Sequence, residues 1–173
     1  MKNHIPRFFG AAALAVAAAV AIQSGCSPDR KPANVVFITL DTFRGDHLGA
    51  LSGGRAATPA LDGLTARGIL FENAWSPIPI TLPAHKSIFF GQPPHALASY
   101  NNGQTVAARR DRPSFVQAFR KKGFVTAAFV SLGVLTREFG PAEGFDYYED
   151  KFPAERWYLT ADEVNRKVVP WLE

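Results

Sequence analysis

Continuous apolar runs alternate along this chain with stretches whose apolar residues recur at helical spacing. NVVFITL (34–40) is an unbroken, β-branched apolar run, the pattern of a strand buried on both faces of a parallel sheet, and Asp41 follows at its end. TPALDGLTARG (58–68) changes period: Thr58 stands where a helix is capped, Pro59 suits the first position, Leu61 and Leu64 share a face, and Gly68 can close it. ILFENAW (69–75) reads as a second extended segment, Pro83 to Phe90 as a short helix, and GQPPHALASYNNG (91–103) as a loop. PSFVQAFRKKG (113–123) predicts a helix ending at glycine and FVTAAFV (124–130) a third strand. TADEVNRKVVPWLE (160–173) predicts a helix capped by Thr160, with Asp162 and Glu163 in its first turn and Pro170 breaking or kinking it near its end. Strands alternating with helices define an α/β fold, a mainly parallel sheet flanked by helices. Three strands are fewer than such sheets usually hold.

The first 26 residues stand apart. Lys2 and Arg7 precede FFGAAALAVAAAVAI (8–22), and QSGC (23–26) follows, the layout of an export signal. The apolar run falls short of the roughly 20 residues a membrane-spanning helix needs. Cys26 is the only cysteine, which excludes an intrachain disulfide, and its place after Ser24-Gly25 resembles the lipobox of bacterial lipoproteins. Residues 1–26 are therefore read as a signal peptide with Cys26 as the lipidation site, residues 27–33 as a polar linker, and residues 34–173 as the folded domain. The protein is expected to be exported, periplasmic or held at a membrane through a lipid on Cys26.

With 47% hydrophobic and 20% charged residues in 173, the chain has the makings of one globular domain. A net charge of +4 would suit a nucleic-acid partner only if it were focused. The basic residues are scattered, RRDR (109–112) and RKK (120–122) being the densest clusters, so no nucleic-acid partner is expected.

In an open α/β sheet the ligand site lies beyond the carboxyl ends of the strands, where Asp41 would present its carboxylate. Read locally, Asp41 is either a metal ligand or a turn cap aided by Thr42. Thr81 lies at or just before the helix that contains Pro83, where free N–H groups and the helix dipole stabilise an anion such as a phosphate or sulfate ester. Its hydroxyl is either an ordinary N-cap or a nucleophile, and a nucleophilic threonine needs a base or a metal to activate it. Asn102 could donate its amide to a non-bridging ester oxygen or simply serve its turn. His47 and His95 lie at no recognisable ligand spacing and read as surface or packing residues.

Taken in order, NVVFITLDTFRGDHLG (34–49), TPALDGLTARGILFENAWS (58–76) and TLPAHKSIFFG (81–91) resemble the N-terminal part of the sulfatase family, within the alkaline phosphatase superfamily. The resemblance covers Asn34 to about Gly103 at motif level and runs more loosely to the end. It implies an α/β core and hydrolysis of sulfate or phosphate esters at a site of divalent metal ions, Zn or Ca, Mg or Mn. It also implies a covalent intermediate on the residue matching Thr81 and a metal ligand at Asp41, with Thr81 itself beside the metal. Asn102 and Lys86 are then expected to bind the substrate, a small phosphate or sulfate ester, and His85 to pack beneath the nucleophile loop.

Two positions depart from the sulfatases. Their nucleophile is a formylglycine made from Cys or Ser in a C/S-x-P-x-R motif, whereas this chain has Thr81 there and His85 in place of the arginine. Thr42 stands where sulfatases carry a further metal-binding Asp. Both changes resemble the nucleotide pyrophosphatase/phosphodiesterase branch, with its L-D-G-F-R-like strand end, T-x-P-x-H motif and loop asparagine. The remaining metal ligands are expected in later motifs that this chain lacks, so residues 34–173 are expected to be the N-terminal part of such a domain, inactive alone and poorly soluble by themselves. The competing expectation is a non-catalytic lipoprotein or binding module built on the same fold.

Overall fold

The computed structural model describes residues 34–104 and 113–173. The signal segment with Cys26, the linker 27–33 and the RRDR cluster 109–112 lie outside the described residues. The chain divides into two units, Met1–Leu40 and Asp41–Glu173.

Of the first unit, residues 34–40 are described, and they form no strand. Val36 is 62% and Ile38 73% exposed, which corrects the expectation of a strand buried on both faces. Residues 69–75 likewise form no strand, and Trp75 is 89% exposed. Both corrections have one physical reason: β-branched and aromatic residues fit a pleated surface once a neighbouring strand supplies one, and they do not create the ladder themselves.

The second unit opens with a turn at Asp41 and Thr42 and two short 3-10 turns, Gly45–His47 and Gly49–Leu51. Helix α1 (Pro59–Thr65) follows, with proline in its first turn as predicted. Thr58 occupies the N-cap position, yet its side chain does not cap the helix. Its hydroxyl accepts from the Gly49 N–H at 2.8 Å and donates to Asp62 Oδ1 at 3.0 Å, and that oxygen also accepts from the Ala50 N–H at 2.9 Å. The TPALD segment thus ties α1 to the preceding turn.

Helix α2 (Thr81–Phe90) starts two residues earlier than predicted, with Pro83 in the first turn, where its missing N–H costs nothing, and it ends at Gly91 in the left-handed region. Helix α3 (Phe115–Lys121) begins with a capping box: Ser114 Oγ accepts from the Gln117 N–H at 3.2 Å, and Gln117 Oε1 accepts from the Ser114 N–H at 2.9 Å. Edge-to-face rings join these helices in sequence, His85 to Phe89, Phe89 to Phe115, Phe115 to Phe119 and Phe119 to Phe124. Such pairs contribute about 0.5–1.5 kcal/mol each beyond the area they bury. Phe89 also meets Phe145, which stacks at a tilt on Tyr148.

The predicted strand 124–130 is realised as β1 (Ala127–Phe129). It pairs in parallel with β2 (Tyr147–Glu149), in register Ala127 to Tyr147, Ala128 to Tyr148 and Phe129 to Glu149. The connection between them carries two 3-10 turns, Gly133–Leu135 and Arg137–Phe139, against the first of which α2 packs. Asp150 locks this connection by accepting the Arg137 N–H at 2.8 Å and pairing with its guanidinium.

Helix α4 (Ala161–Leu172) lies against β1 and carries a second capping box, Thr160 with Glu163. It continues through Pro170 to Leu172, so of the expected break or kink the break does not occur. Proline's fixed φ is helical, and so close to a terminus it removes a hydrogen bond only from the last turn. Among the described residues, Leu82, Leu97, Val116, Leu135, Tyr148 and Leu159 are buried, which places the core between α2, α3 and the strand pair. Among the described residues no helix is long and apolar enough to cross a membrane.

Candidate active site

The start of α2 gathers the polar side chains that the motifs singled out. Its N-cap is Ile80, whose side chain cannot cap, so Thr81 is the first helical residue and not the cap. The Thr81 hydroxyl instead donates to Asp41 Oδ2 at 3.1 Å. Asp41 reaches it from a turn in which Thr42 has φ 54°, the left-handed region. For a β-branched residue that conformation costs roughly 1–3 kcal/mol, which the surroundings must offset. Asp41 is exposed and Thr81 half-buried.

Asn102 caps the same helix from outside. Its Oδ1 accepts the Leu82 N–H at 3.0 Å, satisfying a first-turn donor that Ile80 leaves orphaned. Because the backbone group is a donor, the amide oxygen must face it, and the amide NH₂ remains to donate elsewhere. Asp41 and Asn102 therefore converge on consecutive residues, Thr81 and Leu82.

His85 packs below them, one turn along. Its Nδ1 carries the proton and donates to the Thr81 carbonyl at 2.8 Å, because a carbonyl can only accept. The ring is buried and meets Phe89 edge-on. Lys86 is also buried, at 4% exposure, and its Nζ donates to the Gln104 carbonyl at 3.3 Å. Burial pushes the Lys86 ammonium below its usual pKa. Gln104, a residue for which the sequence offers no distinctive signal, organises the loop: its Oε1 accepts the N–H groups of Tyr100 at 2.8 Å and Asn101 at 3.0 Å.

The remaining candidates lie apart from this group or in pairs of their own. His47 and His95 are exposed. Arg44 makes a bidentate pair with Asp46, Nε to Oδ1 at 2.9 Å and Nη2 to Oδ2 at 2.6 Å. The hydrogen bond to Asp46 raises the guanidinium pKa, and the same bond lowers that of the carboxyl.

Asp41 and Thr81 present two oxygen donors of the kind a hard divalent cation takes. Two donors are only part of a coordination sphere, and no group of three or more His, Cys, Asp or Glu side chains suited to a metal occurs among the described residues. The pair fits as part of a metal site.

The Sulfatase family model matches residues 33–167. This chain is a member of the sulfatase family, whose α/β fold is that of alkaline phosphatase and whose members generally use divalent metal ions. Arylsulfatase K of Xenopus laevis is 30% identical over 100 residues, covering 58% of this chain and 18% of that protein. An arylsulfatase of Clostridium perfringens is 36% identical over 72 residues, 40% of this chain and 15% of its own length. The ulvan-active sulfatase of Formosa agariphila is 28% identical over 122 residues, 67% of this chain and 24% of its own. The matched part of this chain therefore spans less than a quarter of each of these relatives. No solved structure gives a significant match.

Proposed function

We propose that this chain carries the nucleophile of an exported, metal-dependent ester hydrolase, with Thr81 attacking phosphorus or sulfur and phosphate esters the better chemical match. The observation that supports this most is the hydrogen bond from Thr81 to Asp41. A threonine that served only to cap α2 would turn its oxygen toward the first-turn N–H groups.

A divalent ion held in part by Asp41 and Thr81 would lower the pKa of the hydroxyl and neutralise charge on the ester. The Thr81 proton leaves toward Asp41 or solvent, Oγ1 forms a bond to phosphorus or sulfur, and the bond to the ester oxygen breaks. The leaving oxygen departs with the bonding pair and takes up a proton, and water then releases Thr81. The Asn102 amide NH₂ donates to a non-bridging oxygen as charge builds there. His85 holds the Thr81 carbonyl, so the nucleophile's backbone is fixed before substrate arrives.

Threonine cannot become the formylglycine aldehyde of typical sulfatases, and for that reason phosphate mono- or diesters are placed ahead of sulfate esters as substrates. Lipidation at Cys26 after export would bring the enzyme to a membrane surface. The intact, metal-loaded protein should hydrolyse a chromogenic phosphate or sulfate ester and lose on the order of 10³ or more in kcat as Thr81→Ala. Absence of turnover on both ester classes would favour a non-catalytic module.

A further inference from the structure

Lys86 is buried with a neutral carbonyl as its partner, an arrangement that is costly for an ammonium group. Leu82 and Lys86 are four residues apart on α2 and so lie on one face of it, a turn apart. The loop that follows is fastened to that face at both points, by Asn102 Oδ1 on the Leu82 N–H and by the Gln104 carbonyl on Lys86 Nζ. Between the two anchors Gly103 has φ 78°, a conformation that lets the chain reverse over a single residue. Gln104 then closes the loop on itself through Tyr100 and Asn101.

We propose that Lys86 is a positioning residue: by holding the Gln104 carbonyl it fixes loop 100–104 along α2 and so keeps the Asn102 amide at the nucleophile end of the helix. Its effect on catalysis rests on the hydrolase reading given above, but its effect on the loop does not. Lys86 then reaches the ester only through Asn102, and it is not itself a substrate contact.

The test uses the intact, metal-loaded protein with Lys86→Met, which keeps the buried aliphatic stem and removes the donor, alongside Lys86→Arg, Asn102→Ala and the double variant Lys86→Met/Asn102→Ala. Hydrogen exchange at the Leu82 amide should quicken by about tenfold in Lys86→Met, the scale of one hydrogen bond, while the Val164 amide in α4 exchanges as before. Lys86→Arg, which retains a donor, should recover part of that protection. In kinetics, Lys86→Met should lower kcat more than it changes KM and have little further effect once Asn102 is alanine.

Unchanged exchange at Leu82 overturns the proposal. Losses that multiply in the double variant overturn it too, by making Lys86 an independent substrate contact, and so does equal loosening at Leu82 and Val164, the mark of general destabilisation. The exchange measurement needs no turnover, so failure of the hydrolase reading is seen separately, as absence of turnover on both ester classes in the unsubstituted protein.

Discussion

Thr81 and Asp41 are 40 positions apart in the chain and joined by a 3.1 Å hydrogen bond in which the hydroxyl donates to the carboxylate. The bond turns a hydroxyl at a helix start into one presented to a charged oxygen, the pairing that activates a weak nucleophile directly or through a shared cation. Asp41→Asn keeps the shape and removes the charge. Divalent-ion affinity, followed by titration calorimetry on the intact protein, should fall by at least about tenfold, a loss seen even for residues that merely support a metal ligand. Affinity equal to wild type would remove Asp41 from the metal site.

The turn before β2 depends on one glycine. Gly144 has φ 96°, and a Cβ there would lie 2.7 Å from Gln117 Cγ, inside the capping box that starts α3. Gly144→Ala therefore combines backbone strain with a clash against a side chain held by Ser114 and Glu143. It should cost about 1–3 kcal/mol and lower Tm by several degrees. Gly45→Ala, where an added Cβ meets nothing within 4 Å, is the matched control and should leave Tm within a degree or so. Equal effects of the two substitutions would contradict this packing.

Glu163 gives the pH dependence a sign. The hydrogen bonds from Arg156 and then from the Thr160 N–H hold its carboxyl down from the usual 4.5 to about 2. A carboxylate with a lowered folded pKa stabilises the fold fully above its ordinary value and loses that contribution as pH falls through the folded one. The Tm difference between wild type and Glu163→Gln should therefore be largest above pH 4.5 and close as pH approaches 2. A gap that widens on acidification would show that the pair with Arg156 is not what lowers the pKa.

Reading from sequence worked best where the signal is local. Pro59 and Thr160 mark helix starts through chemistry contained in a few residues, and the helices begin there. It failed where the outcome depends on a partner. NVVFITL and ILFENAW have strand composition without a ladder, whereas β2 forms from three residues of the aromatic, acidic stretch FDYYED because β1 lies alongside. Thr58 looked like a cap, but a turn nine residues back takes its hydroxyl. In the candidate site, the motifs brought Asp41, Thr81 and Asn102 into view one by one. That Asp41 meets Thr81, and Asn102 the next residue, is a fact of tertiary structure. Gln104 carried no signal because its role is to bind the backbone of its own loop.

The most direct measurement is a chemical trap. The intact, metal-loaded protein would be mixed with an activated aryl phosphate or aryl sulfate, quenched in acid during turnover and mapped by peptide mass spectrometry. A Thr81 nucleophile predicts a phosphoryl or sulfuryl group on Thr81, absent from Thr81→Ala, which should also be inactive. Turnover that leaves Thr81 unmodified and continues undiminished in Thr81→Ala would contradict the account.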